Sequence, residues 1–539
     1  MAVPTQETKG IRIHSVKASR EDASIASQNN FLMPGKNLIY GLMGFLLVYA
    51  IVRSLVAAAE RPFWFDELMT LTVSAQGTWN AILTTLRRAL DAQPPLFYMI
   101  EHFASGLTRN KEIALRLPSV LAFPCTLTCV FIYVKRRGGE IVAFLCAVFL
   151  LMTSVFQFYA VEARPYSMVV ACIAFGLVCY QRVSSPLWTV LLAMSLALAE
   201  SLHYLAVLAM VPFGLAEVAL FLKIRRFRWP VWAALVVGAL PLLLSWKLLA
   251  ITKAYYGARV WSRFQFSFIP RTYGELFQTN SEYGAAIGAV ALAGILGTAL
   301  WTRSVKPSDT EDKSDDLAET TLVLTFVTLP FLGYLVTSVA HSGLTARYLL
   351  STVIGVSVAF GYILSRARLG AVGLFAVFVF SAVGVHELSF WRSSRGHIND
   401  VNSSGVAAET FIEGAGHKEL PVVVPEGLLI VQLVHYASQS FASRFVYVTQ
   451  DHSPNDKNWS DSVEKEIQLL PPYLPLRVSN FLEFTSARRE FLVYVEEKDP
   501  GRDWLTLRLS REGWSLQTAA LDDWRRVYLV TGNGNSSSH

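Results

Sequence analysis

Between residues 38 and 387 long apolar runs alternate with polar loops, and after 388 the apolar runs shrink to a few residues in a polar background. The long runs lie near 38–59, 117–134, 141–158, 166–181, 186–202, 205–222, 230–250, 284–302, 319–340, 347–364 and 369–387. Each is close to the roughly 20 residues an α-helix needs to cross a hydrocarbon core. The pattern predicts a polytopic α-helical membrane protein with about eleven transmembrane helices. A 53% share of hydrophobic residues against 16% charged over 539 positions agrees, and excludes an ordinary soluble chain.

Two polar segments are too long to be simple turns. In the first, 60–116, Trp79, Ile82, Leu83, Leu86 and Leu90 recur at three- and four-residue spacing opposite Arg87 and Arg88. That spacing predicts an amphipathic helix lying flat on the membrane. The second, 251–283, interleaves Tyr255, Tyr256, Trp261, Phe264, Phe266 and Phe268 with Lys253, Arg259, Arg263 and Arg271, a mixture suited to the headgroup layer. Beyond 388, the runs 420–424, 444–448 and 491–495 predict short buried strands. A helix near 427–440 separates the first two, as in a βαβ unit. The expected division is a disordered cytoplasmic tail at 1–37, a transmembrane domain at 38–387 and a small extracytoplasmic α/β domain at 388–539. The last has no glycine-rich phosphate loop, so structural support or acceptor contact is expected of it rather than independent catalysis.

Charge orients the chain. With the N-terminus in the cytoplasm, Lys135-Arg136-Arg137, Arg182, Lys223 with Arg225, Arg226 and Arg228, Arg303 with Lys306, and Arg366 with Arg368 all fall on inner loops. The positive-inside rule is then satisfied throughout, and topology explains the formal +6 charge without a nucleic-acid partner. An odd number of helices leaves the C-terminus outside. All five cysteines fall in predicted helices, which indicates neither a disulfide framework nor a cysteine zinc site. Ala57-Ala58-Ala59 resembles a cleavage site, but the apolar run before it exceeds a signal-peptide core, so the first span is expected to be an uncleaved anchor.

This topology sends Asp66, Glu67, Asp91, Glu162, Arg164, Tyr166, His203, Tyr204, His341, Arg347 and Tyr348 to the outer face. Ionisable groups near a bilayer are costly and tend to mark a site. Each also has a plainer reading. Asp66 and Glu67 suit a helix N-terminus, and Asp91 ahead of Pro94-Pro95 suits a turn. Glu162 and Arg164 suit an interfacial ion pair, His203 suits core packing, and Arg347 suits snorkelling to headgroups. Neighbours on a helix or strand point apart, so Asp66 and Glu67 are not expected to share one task.

Taken together, Asp66-Glu67, the Asp91–Leu96 stretch, Leu115-Arg116-Leu117-Pro118-Ser119, Glu162-Ala163-Arg164-Pro165-Tyr166, His203-Tyr204 and Arg347-Tyr348-Leu349-Leu350 resemble the GT-C glycosyltransferases. They resemble in particular the protein O-mannosyltransferase and aminoarabinose transferase branch. The resemblance covers about 60–365, and Gln93 stands where many relatives carry histidine. It implies transfer of a sugar from a polyprenyl-phosphate donor to an acceptor hydroxyl on the outer face of a bacterial cytoplasmic (inner) membrane, with inversion at the anomeric carbon.

That chemistry asks for a carboxylate to take the hydroxyl proton and cations to stabilise the departing phosphate. The resemblance implies Asp66 as base, with Glu67 or Asp91 orienting acceptor or sugar. Arg164 and Arg347 become the phosphate contacts, because a guanidinium binds phosphate bidentately. Glu162, Tyr166, His203, Tyr204 and Tyr348 are further donor contacts. The resemblance makes no cofactor certain, and a divalent metal stays open. The acceptor is open too, between protein, lipid and glycan. Two other classes stay in view: a lipid or glycan transporter or flippase, which places charges near the midplane where this chain offers chiefly Glu217, and a non-catalytic envelope-assembly protein.

Overall fold

A computed structural model describes residues 35–256, 266, 268–277, 289–290, 293–294, 310–340, 344–394, 403–450, 461–496 and 503–532. Most of the expected span 284–302, most of the tail 1–37, His341 and the basic positions Arg259 and Arg263 lie outside what it describes. Met1–Tyr49 forms one compact unit, whose described part is the first half of the helix Lys36–Glu60. Ala50–His539 forms the other and holds everything that follows.

Among the described residues four helices are long and apolar enough to cross a membrane: Lys36–Glu60, Lys111–Leu151, Tyr204–Lys223 and Leu369–Ser394. Two bent pairs raise the number to six if each is one span. Trp229–Leu244 meets Trp246–Tyr256 at 48°, and Asp316–Val327 meets Leu329–Val336 at 65°. Proline explains the second bend, since Pro330 at the start of Leu329–Ala340 lacks the N–H that an unbroken helix needs there. The long second helix breaks at Gly139, where φ is 71° and ψ 179°, a backbone state that a side chain would strain. The helices Tyr166–Tyr180, Pro186–Leu202 and Ser351–Leu364 are apolar but shorter. Close approach is secured by small residues, as at Gly355, where a Cβ would sit 2.5 Å from the Cβ of Phe326.

The C-terminal part folds around a six-stranded sheet of β1 (Val422–Val423), β2 (Phe445–Thr449), β3 (Arg477–Asn480), β4 (Glu490–Glu496), β5 (Ser515–Leu521) and β6 (Arg525–Thr531). Their order is β3-β2-β1-β4-β6-β5. The first four are parallel, and β6 and β5 pair antiparallel at one side. Five consecutive buried positions in β2 report cover on both faces, as parallel sheets require. On one face Val423, Val446, Val448, Val493 and Val495 pack on Phe481, Phe484, Leu505 and Leu509.

The other face joins the first polar segment. Val422, Val424, Phe445, Leu492 and the helix Gly427–Tyr436 share one core with Phe63, Phe65, Leu68, Met69, Phe97 and Tyr98. Ile82, Leu86 and Leu90 belong to that core too. The expectation of a helix flat on the lipid is therefore corrected. The helix Trp79–Arg87 turns its apolar stripe into protein, because the sheet and its helices supply the apolar cover that the stripe needs.

Candidate active site

The loop 58–67 is built around one arginine. Arg116 is fully buried; its Nε and one terminal nitrogen donate to the two Glu67 oxygens at 2.8 and 2.6 Å. Its remaining donors reach the carbonyls of Ala58, Arg61 and Pro62. Glu67 also accepts from the backbone N–H of Ala163 at 2.8 Å and of Trp64 at 3.3 Å. Both side chains are saturated, so Glu67 is a loop anchor and not a group that reaches substrate. Its neighbour points the other way. Asp66 opens the helix Phe65–Ser74 and faces a cavity of about 650 Å³.

Across that cavity wall stands Arg347, carried by the 3₁₀ turn Ala346–Leu349, with its guanidinium 2.8 Å from Asp66 Oδ2. The side chains are 18% and 15% exposed, which leaves the pair wet enough to meet a substrate. Asp66 Oδ1 has no hydrogen bond among the described residues, so the carboxylate keeps an open acceptor. Arg347 sits 5.6 to 6.0 Å from the ring centres of Trp64, Tyr166 and Tyr348, distances at which aromatic faces hold a cation. His203 packs against both tyrosines and accepts a hydrogen bond from the backbone N–H of Leu205. Burial, with Arg164 and Arg347 nearby, pushes His203 down to about 3 and keeps it neutral.

Behind Asp66 lies a second pair. Asp91 and Arg164 meet at 2.6 Å, each side chain only 6% exposed, and Arg164 also donates to the Asp66 carbonyl and Thr70 Oγ1. Arg164 thus braces the Asp66 backbone from beneath. Neither it nor Asp91 lines the cavity, so the expected second phosphate contact is corrected to a positioning role, with Asp91 as its counter-ion. Tyr204 is buried and lines neither this cavity nor the small one between His203 and Tyr348.

Glu162 is corrected as well. It is fully buried, and neither carboxyl oxygen has a hydrogen-bond partner among the described residues. Burial, with Glu67 next in weight, pushes it up to about 8, so at neutral pH it is mostly an uncharged acid. Unfolding returns it to the ordinary carboxylate range, so the folded state holds the extra proton and loses stability as pH climbs from that range through about 8. Replacement by glutamine should flatten that slope. Thermal midpoints compared at pH 5 and pH 8 check this, and equal slopes in both proteins would remove the assignment.

The cavity also contains a group that the sequence did not single out. Glu466, on the helix Ser462–Gln468, lines it opposite Asp66 and Arg347. Burial, then Asp91 and Asp66, drives its carboxyl well above the ordinary range. Reciprocal bonds hold that helix in place: Tyr255 donates to the Lys465 carbonyl, and Lys465 Nζ donates to the Tyr255 carbonyl. Among the described residues no three His, Cys, Asp or Glu side chains gather as a metal-holding group.

No protein-family model and no curated protein sequence matches the chain. Solved structures do. ArnT from Cupriavidus metallidurans, in its apo state and bound to undecaprenyl phosphate, aligns with TM-scores of 0.57 and 0.53 at 16% identity. Both alignments cover 91% of this chain and 98% of ArnT. The chain has a GT-C fold. The GT-C likeness read from scattered motifs holds over nearly the whole length, and with it a multi-pass membrane architecture. The oligosaccharyltransferase of Archaeoglobus fulgidus, solved with Zn and sulfate, aligns at a TM-score of 0.43 and 10% identity over 89% of this chain and 72% of its own, too distant to weigh.

Proposed function

We propose that this GT-C-like chain is a membrane glycosyltransferase that moves a sugar from a polyprenyl-phosphate donor to an acceptor hydroxyl, with inversion. The observation that carries the reading is the Asp66–Arg347 pair at the wall of the 650 Å³ cavity, in a fold shared with a protein that binds undecaprenyl phosphate. The acceptor oxygen attacks the anomeric carbon as its proton passes to Asp66 Oδ1. The bond from that carbon to the phosphate oxygen breaks, and its electron pair leaves with the lipid phosphate. Arg347 meets the charge that develops there, preorganised by its aromatic surround. Aspartate and arginine are adjacent in the resting protein, and the arriving phosphate takes over part of the arginine's hydrogen bonding.

Lysine at 347 keeps the charge but loses the planar fork. Arg347→Lys should weaken donor binding about tenfold, a value of one charge-assisted hydrogen bond. Equilibrium binding of a polyprenyl-phosphate sugar to purified protein reads this, and wild-type affinity would take Arg347 out of the site. The decisive activity test incubates purified protein with polyprenyl-phosphate sugars and a host membrane fraction, then identifies by mass spectrometry what gains a hexose, pentose or amino sugar.

The proposed topology has about eleven crossings, the N-terminus inside and both the Asp66 loop and the C-terminal sheet outside. It also places the chain in a bacterial cytoplasmic (inner) membrane. Cysteines introduced as Gln76→Cys and Ser404→Cys should react with an impermeant thiol reagent in cells whose outer membrane has been opened. Protection of either would overturn the arrangement. The transporter reading loses its clearest sequence support, since Glu217 is held by Arg228 and Tyr180 as a paired structural group.

A further inference from the structure

The C-terminal sheet is doubly wound. From β1 the chain moves to β2 and outward to β3, then returns to place β4 on the other side of β1. That reversal opens a crevice beyond the carboxyl ends of β1 and β4, the place where open α/β sheets bind ligands. Here it is a cavity of about 340 Å³, at the lower end of ligand pockets, roughly 300 Å³ upward.

Its lining is specific. Tyr447, in the middle of β2, is 6% exposed and lines the crevice, and its hydroxyl makes no hydrogen bond among the described residues. Gly427 packs tightly here, since a Cβ at 427 would stand 2.5 Å from Ile467 Cδ1 and 3.1 Å from Val463 Cγ1. On β4, Tyr494 donates to Glu496 at the cavity wall. Trp504 adds an aromatic surface, and Asp503 places a second carboxylate at the opening. Such a set offers hydrogen-bond acceptors, one buried hydroxyl and flat apolar faces, while its carboxylates repel phosphate and other anions.

We infer that the crevice between the carboxyl ends of β1 and β4 binds an uncharged saccharide, its hydroxyls on Tyr447 and the carboxylates and its ring against Trp504. The crevice adjoins the Asp66 cavity. Val463 lines both, and the helix that carries it presents Glu464 to the crevice and Glu466 to the cavity. On the transferase reading, on which this last step rests, the saccharide is part of a glycan acceptor held beside the donor. Saccharide binding itself does not depend on that reading.

The test titrates full-length protein in detergent with D-glucose, D-mannose and N-acetylglucosamine, and separately with glucosamine and glucose 6-phosphate. Tryptophan fluorescence and saturation-transfer NMR follow binding. At least one neutral sugar should bind saturably, with glucose 6-phosphate at least tenfold weaker. Tyr447→Phe, which keeps the ring, should weaken binding about fivefold, a value of one lost hydrogen bond. Trp504→Ala should weaken it at least as much. The Asp66→Asn protein should bind the sugar like wild type. Failure of every neutral sugar to bind, binding of glucosamine alone, equal binding of the phosphorylated sugar, or wild-type affinity in Tyr447→Phe would each overturn the assignment. If Asp66→Asn transfers sugar normally while the crevice results hold, the transferase reading fails and the saccharide site stands.

Discussion

Asp66→Asn is expected to transfer sugar at least 10²-fold more slowly than wild type, the lower end of what a positioned general base contributes. The change keeps the size of the side chain and leaves Arg347 in place, so donor binding should survive and the loss should fall on kcat. Glu67→Gln and Asp91→Asn serve as the comparison in the same assay. Their carboxylates are committed to Arg116 and Arg164, so any loss of transfer in them should track loss of folded protein in size-exclusion profiles. Near-normal transfer by Asp66→Asn with a folded but inactive Asp91→Asn would move the base to Asp91. Activity in all three variants would end the glycosyltransferase proposal.

Arg116→Ala is expected to be the most damaging single change to the fold. Removing one member of a buried ion pair costs about 3–5 kcal/mol, because the partner is left charged and unsolvated. Here the arginine also satisfies the carbonyls of Ala58, Arg61 and Pro62, which lose that partner on truncation. Lysine should rescue little, since one ammonium cannot span those acceptors and both Glu67 oxygens. Replacing Arg116 and Glu67 together by apolar residues should recover only part of the loss, as the carbonyls stay unpaired. Thermal unfolding in detergent reads all three variants, and a midpoint within a degree of wild type for Arg116→Ala would refute the anchoring role.

How much of this was legible beforehand depends on the range of the signal. Local rules worked. That adjacent residues point apart separates Asp66 from Glu67, and the structure sends one to the cavity and the other to Arg116. Apolar periodicity found the helix at 79–87 but said nothing of what covers its stripe, and the cover comes from residues more than 300 positions later. Sidedness brought Asp66, Arg164 and Arg347 to one region. Which arginine lines the cavity was not readable, because it turns on Asp91 and Thr70 already occupying Arg164. Glu466 stayed hidden for the same reason: Ser462–Gln468 reads as a charged surface helix until it packs over Asp66.

The bond from the Phe63 backbone N–H to the Tyr436 hydroxyl joins residues 373 positions apart, and Tyr436 in turn donates to Glu112. The loop that displays Asp66 therefore waits, during synthesis, for the chain to reach Tyr436 and bring it to the same side of the membrane. Until then its apolar face is open to chaperones and proteases. A ribosome stalled or a chain stopped before Tyr436 would leave that loop protease-sensitive even with every preceding helix inserted, so such truncated products should be cleared by the cell instead of persisting as partial chains.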